Sequence, residues 1–154
     1  MRRGEIWEDT VTRKEGECRL WETEKLGLEQ GDVFIYGHNM RNGTMFADLV
    51  KYHRSEYGQE HPQIWLFTLW EQREYDILTA FYADADEWIK REGIFYPKIR
   101  KSETERREYV QELMNRGFYE TEAVYTGGAP LLFLVTCSYH HRNGRIVVVG
   151  MLKD

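Results

Sequence analysis

Two apolar runs near the end of the sequence, LLFLVTC (131–137) and RIVVVGML (145–152), constrain the fold more than any other feature of this chain. Neither run alternates apolar with polar residues, so neither reads as a strand with one face in water. The loop between them contains Asn143-Gly144, a dipeptide suited to a hairpin turn. Such strands suit a closed or nearly closed barrel better than an open sheet with one wet face.

The rest of the chain fits that expectation. VFIYGHN (33–39) reads as a short apolar strand ending at a Gly-His-Asn turn. NGTMFADLVKYHRSEYG (42–58) spaces Met45, Phe46, Leu49, Val50 and His53 on one helical face, with Thr44 or Asn42 as N-cap. QIWLFTLW and YDILTAFYA are β-rich runs separated by EQRE, an antiparallel hairpin. SETERREYVQELMNRGFY (102–119) predicts a long helix: Ser102 and Glu105 form a capping box, Tyr109, Leu113 and Met114 face inward, and Gly117 ends it. TEAVY (121–125) reads as a further short strand, and TGGAP as a turn. The expected class is therefore mainly β with α: a barrel with one long helix inserted between strands and a short helix after the His38 turn.

At 154 residues the chain is one domain's worth and could bury roughly two thirds of its unfolded surface. A net charge of −5 argues against binding nucleic acid through bulk charge. No stretch approaches the roughly 18 apolar residues of a membrane span, and the sequence does not open on a signal-peptide pattern. Cys18 and Cys137 are too few for a disulfide framework and sit in dissimilar contexts, which disfavours a bond between them. Residues 1–31 are crowded with charge, and only GEIW and CRLW hint at strands. This segment is expected to be weakly structured, or an edge element packed by Trp7 and Trp21, ahead of a folded domain over 32–154.

Three residues could carry chemistry. A cysteine at the end of a buried strand more often serves as a small core hydrophobe. Polar Thr136, Ser138 and Tyr139 surround Cys137, however, so its thiol could emerge at the barrel rim. A thiol reacts as the thiolate, and a neighbouring cation favours that form. Arg145 opens the partner strand of the hairpin; read alone, it would be a solvated strand-end arginine. His38, where a strand gives way to a turn, sits on a rigid element within reach of solvent and could serve as general acid or base. By itself it would be a polar turn residue.

Together these stretches carry a specific resemblance. IYGHNMRNGTMFADLVKY resembles the segment around the catalytic histidine of class B sortases. LVTCSY with GRIVVVGML resembles that family's Leu-x-Thr-Cys strand and its arginine-bearing strand, and the long capped helix resembles the helix that marks class B. The resemblance runs from about Asp32 to Leu152.

The resemblance implies a sortase-like β-barrel and a cysteine transpeptidase. Cys137 would be the nucleophile, attacking the carbonyl of a threonine in a sorting motif near the C-terminus of a secreted protein. His38 would protonate the departing amine and deprotonate the incoming one. Arg145 would hold the substrate backbone or stabilise the oxyanion. Asn39, Met40, Thr136, Ser138 and Tyr139 would contact substrate. The acceptor would be an amine on a peptidoglycan precursor or a pilin subunit, and the place of action the outer face of the bacterial cell membrane. No metal or organic cofactor is implied.

The sequence departs from the family pattern in two places. The family sets N-terminal helices and at least two strands before the histidine block, where this chain has its charged segment; a barrel lacking those strands would have an open edge through which copies could associate. Val135 stands where the family carries a small polar residue. Two rivals follow: a catalytically silent relative acting as a binding or assembly protein, and a cysteine hydrolase in which water always replaces the amine. Cys137, His140 and His141 resemble a partial metal set, short of a closed zinc site. His53 and His61 read as structural.

Overall fold

The computed structural model describes residues 19–21, 31–43, 45–67, 71–85, 102–140 and 142–154. Six strands form one sheet: β1 (Arg19–Trp21), β2 (Val33–Tyr36), β3 (Gln63–Phe67), β4 (Gln72–Asp84), β5 (Leu131–Cys137) and β6 (Gly144–Leu152), in the order β1-β2-β5-β6-β4-β3. The sheet curls into part of a barrel, so the architecture is mainly β with a few helices. Among the described residues, β1 and β3 each have a single neighbour and bound the sheet. The strand hinted at by CRLW is β1, antiparallel to β2; GEIW and Trp7 lie outside the described residues.

The two apolar runs occupy the middle of the sheet, with β5 pairing β2 on one side and β6 on the other. They are apolar throughout because both faces are covered. Leu132, Leu134, Ile146 and Val148 enter one core with Phe46, Leu49 and Tyr52. Leu131, Phe133, Val135, Val147 and Val149 enter a second with Tyr109, Val110 and Leu113. Each large apolar side chain buried this way contributes about 1.5–3 kcal/mol.

The long helix, here α2 (Glu103–Asn115), has the expected capping box: the Ser102 hydroxyl accepts the Glu105 amide, and the Glu105 carboxylate accepts the Ser102 amide. Asp32, just before β2, fastens α2 to the sheet. Its Oδ2 accepts Arg106 Nη1 at 2.6 Å, and its Oδ1 accepts both Arg106 Nη2 and the amide of Leu131 at 2.8 Å. Burial opposes the guanidinium charge, but Asp32 more than offsets it and holds Arg106 protonated above its ordinary range.

Two local expectations are corrected. The segment after the His38 turn is not one helix but a 3₁₀ helix (Ala47–His53) and a short α1 (Ser55–Glu60), separated at Arg54, whose φ of −101° and ψ of 130° are extended. The break lets Tyr52 donate to the His61 carbonyl at 2.9 Å and meet Tyr57 edge-on. His53 is therefore exposed rather than on the inward face, and Phe46, not Thr44 or Asn42, precedes the first turn. TEAVY is a loop: Thr121 caps the carbonyl of Leu78, the residue left over at the β4 bulge between Ile77 and Thr79. Among the described residues, no helix is long and apolar enough to cross a membrane.

Candidate active site

The site follows from register. In the parallel β2–β5 pair Tyr36 lies beside Val135, and beyond the strand Gly37 bonds Val135 and Asn39 bonds Cys137, so the turn that carries His38 follows the end of β5. In the antiparallel β5–β6 pair Cys137 is directly opposite Arg145. Cys137 therefore lies between the segments that carry the histidine and the arginine. The amide of Ser138 donates to the Gly144 carbonyl at 3.1 Å. That makes Cys137–Arg145 the adjoining non-hydrogen-bonded pair, in which opposed side chains lie nearest. Cys137 continues the face of Phe133 and Val135, and Arg145 that of Val147, so both lie on the α2 side of the sheet. Cys137 is a free thiol, partly exposed, as is the Arg145 side chain; His38 is exposed. Cys18 lies outside the described residues.

Four hydrogen bonds stitch the histidine turn to the cysteine strand. Gly37 donates its amide to the Val135 carbonyl at 3.1 Å, and the Thr136 hydroxyl donates to the Gly37 carbonyl at 2.7 Å. The Asn39 side-chain amide donates to the Cys137 carbonyl at 2.8 Å, and the Tyr139 hydroxyl donates to the Asn39 carbonyl at 3.1 Å. From the other side, the Phe46 amide donates to the His38 carbonyl at 2.8 Å. To make this return the chain passes through Gly43 and Met45, both in left-handed backbone conformation at φ +80° and 60°. For a methionine that is a strained conformation, sustained by the bridge between Asn39 and Met45.

Of the five residues expected to contact substrate, Met40 and Tyr139 are exposed, at 43% and 74%. Thr136 and Ser138 are each only 2% exposed. The Thr136 hydroxyl is engaged by Gly37, the Ser138 hydroxyl by His140, and the Asn39 amide by Cys137. Val135, too, is fully buried, in the second core. Sequence reasoning gave His140 no part beyond a partial metal set; its packing on Tyr82 across the sheet has no local signature. Among the described residues, no three His, Cys, Asp or Glu side chains gather as a metal site; His141 is not among those residues.

This geometry can be set beside known proteins. A family model described as the sortase domain matches residues 5–153. The match includes most of the charged segment ahead of Asp32, which the motif resemblance alone had left out. Sortase B of Listeria monocytogenes is 27% identical over 79% of this chain, and the chain spans about half of that relative's length, 48%. The crystal structure of Clostridium perfringens sortase B superposes with a TM-score of 0.76 at 23% identity, covering 90% of this chain and 74% of that one. A sortase B from the type II pilus of Streptococcus pneumoniae gives a TM-score of 0.75 at 23% identity, covering 90% and 77%.

Proposed function

The chain belongs to the sortase family, and from that premise we propose that it is a cysteine transpeptidase that cuts a sorting motif after threonine and passes the acyl group to an amine. The observation that supports this reading is the β2–β5–β6 order, in which the strand leading into the His38 turn and the strand opened by Arg145 flank the strand that ends at Cys137. The Cys137 sulfur attacks the threonine carbonyl, and the negative charge that develops on its oxygen is met by Arg145. Charge stabilisation of that kind is worth about 3–4 kcal/mol. The tetrahedral species collapses as the C–N bond breaks and His38 gives its proton to the leaving amine, leaving a thioester on Cys137. The acceptor amine attacks the thioester, His38 takes back a proton, and the thiolate departs.

Met40 and Tyr139 are exposed enough to meet the peptide directly. Asn39, Thr136 and Ser138 act by holding the frame of the site. The donor is the sorting signal of a secreted surface protein, and the acceptor an amine of a peptidoglycan precursor or a pilin. The place of action is the outer face of the bacterial cell membrane. Copies associate through the outer strands of the sheet; light scattering that finds only monomer at high concentration would count against this association.

Incubation with fluorogenic sorting-motif peptides, with and without a primary amine, tests the activity. Peptide transferred to the amine, with transfer lost in Cys137→Ala, is the expected result. Cleavage yielding only the free acid in the presence of amine would instead make the protein a hydrolase. No cleavage, together with no labelling of Cys137 by a peptide-like electrophile, would make it a silent relative.

A further inference from the structure

At the tip of the β5–β6 hairpin, β4 pairs as far as Asp84–Gly144 and the Ala85 amide donates to the Asn143 carbonyl at 2.8 Å; a residue that the mechanism does not use adds a side-chain hold. The His140 ring stacks on Tyr82 with centroids 3.9 Å apart and planes 17° from parallel. Its Nδ1 shares a hydrogen bond with the Ser138 hydroxyl, and its amide donates to the Ser138 carbonyl at 2.9 Å. The ring also closes over Gly144, where an added Cβ would lie 2.6 Å from Nδ1. One imidazole thus touches the end of β5, the start of β6 and the side of β4. Tyr82 is itself braced edge-on by Phe118 at 4.6 Å and pairs with Ile146, next to Arg145.

What this ring holds down matters on the other face of the sheet. The Gly144 carbonyl accepts the Ser138 amide at 3.1 Å and also accepts Arg145 Nη1 at 2.9 Å. The backbone atom that orients the Arg145 guanidinium therefore belongs to the segment clamped beneath His140. An arginine side chain has several rotatable bonds, and a fixed acceptor selects among its rotamers. Without the clamp the β4 pairing still holds Gly144 from one side, but the Ser138 side of the tip is loosened, and with it the Gly144 carbonyl that Arg145 Nη1 donates to.

We propose that His140, stacked on Tyr82 and bonded to Ser138, is a positioning residue that latches the β5–β6 tip and so fixes Arg145 against Cys137. The proposal rests on the reading of Cys137 and Arg145 as the working pair, and its test separates the two. The probe is alkylation of Cys137 in the full chain by iodoacetate and by iodoacetamide, with site occupancy read by peptide mass. A set guanidinium favours the anionic reagent, so the iodoacetate-to-iodoacetamide rate ratio reports Arg145. Loss of stability alone changes both rates together and leaves the ratio unmoved.

Arg145→Gln sets the floor of that ratio. His140→Ala is expected to lower it by about threefold or more towards that floor. Tyr82→Leu, which removes the stacking partner from outside the hairpin, is expected to act in the same direction and serves if His140→Ala does not fold. His140→Phe, which restores a ring for Tyr82, should recover part of the loss. A wild-type ratio in the folded His140→Ala or Tyr82→Leu protein, with the ratio collapsed in Arg145→Gln, overturns the latch alone. A ratio unaffected by Arg145→Gln overturns the pairing of Arg145 with Cys137, and the latch with it.

Discussion

The side-chain amide of Asn39 reaches across from the histidine turn to donate to the carbonyl of Cys137, at 2.8 Å. That contact ties the residue after His38 to the backbone of the proposed nucleophile, and the Tyr139 hydroxyl returns the tie to the Asn39 carbonyl. Asn39→Ala should lower kcat/KM for a sorting-motif peptide by roughly 10- to 100-fold, because displacement of about 1 Å between reacting groups has that effect. The accompanying loss of stability should be only about 1 kcal/mol. Peptide turnover measured alongside urea unfolding checks both; unchanged turnover would show that the tie does not set the distance.

Gly37 immediately precedes His38, and a Cβ placed on it would overlap the ring of Phe46. Phe46 is fully buried in the first core and cannot swing aside cheaply. Gly37→Ala is expected to cost about 1–3 kcal/mol through overpacking. It should also slow turnover, because the histidine turn must move to relieve the overlap. Thermal unfolding and the peptide assay together test this.

The Asp32–Arg106 pair is nearly buried, with side-chain exposures of 6% and 15%. Asp32→Ala removes the counter-charge of the Arg106 guanidinium, which keeps as acceptors the neutral Tyr125 hydroxyl and Ala129 carbonyl, and leaves the Leu131 amide without its acceptor. Removing one partner of a buried pair costs about 3–5 kcal/mol. A fall of that size in the urea unfolding free energy is expected. A loss below about 1 kcal/mol would mean that the pair behaves as a surface contact.

Burial raises the phenol pKa of Tyr52, Tyr75 and Tyr109 above the ordinary value. The folded state thus favours the neutral phenol. The stability these groups contribute is fully present below the unfolded value of about 10, and it is lost as pH rises beyond it. On alkaline titration these phenols should ionise together with loss of the circular dichroism signal, after the more accessible tyrosines. Ionisation of every tyrosine near pH 10 in a still-folded protein would refute the assignment.

Much of this was legible locally. The capped helix needs only Ser102, Glu105 and the spacing of Tyr109 and Leu113, all within one segment. The apolar character of β5 and β6 announced cover on both faces, and two cores supply it. The break at Arg54 was not legible, because the apolar spacing across it continues. The extended backbone there serves contacts that Tyr52 makes with His61 and Tyr57 beyond it.

The sequence by itself determined which residues could carry chemistry: a thiol where an apolar run turns polar, a cation opening the next run, and an imidazole at a strand end. Only the tertiary structure decided that the segments carrying them lie side by side. The bond from Thr136 to Gly37 spans 99 residues of chain, and the parallel register it helps fix leaves no trace in either segment alone. The tertiary structure also decided that Thr136 and Ser138 turn inward while Met40 and Tyr139 face out. Hydrophobic periodicity records the face a residue occupies within its own element, whereas adjacency depends on which elements pair and in what register.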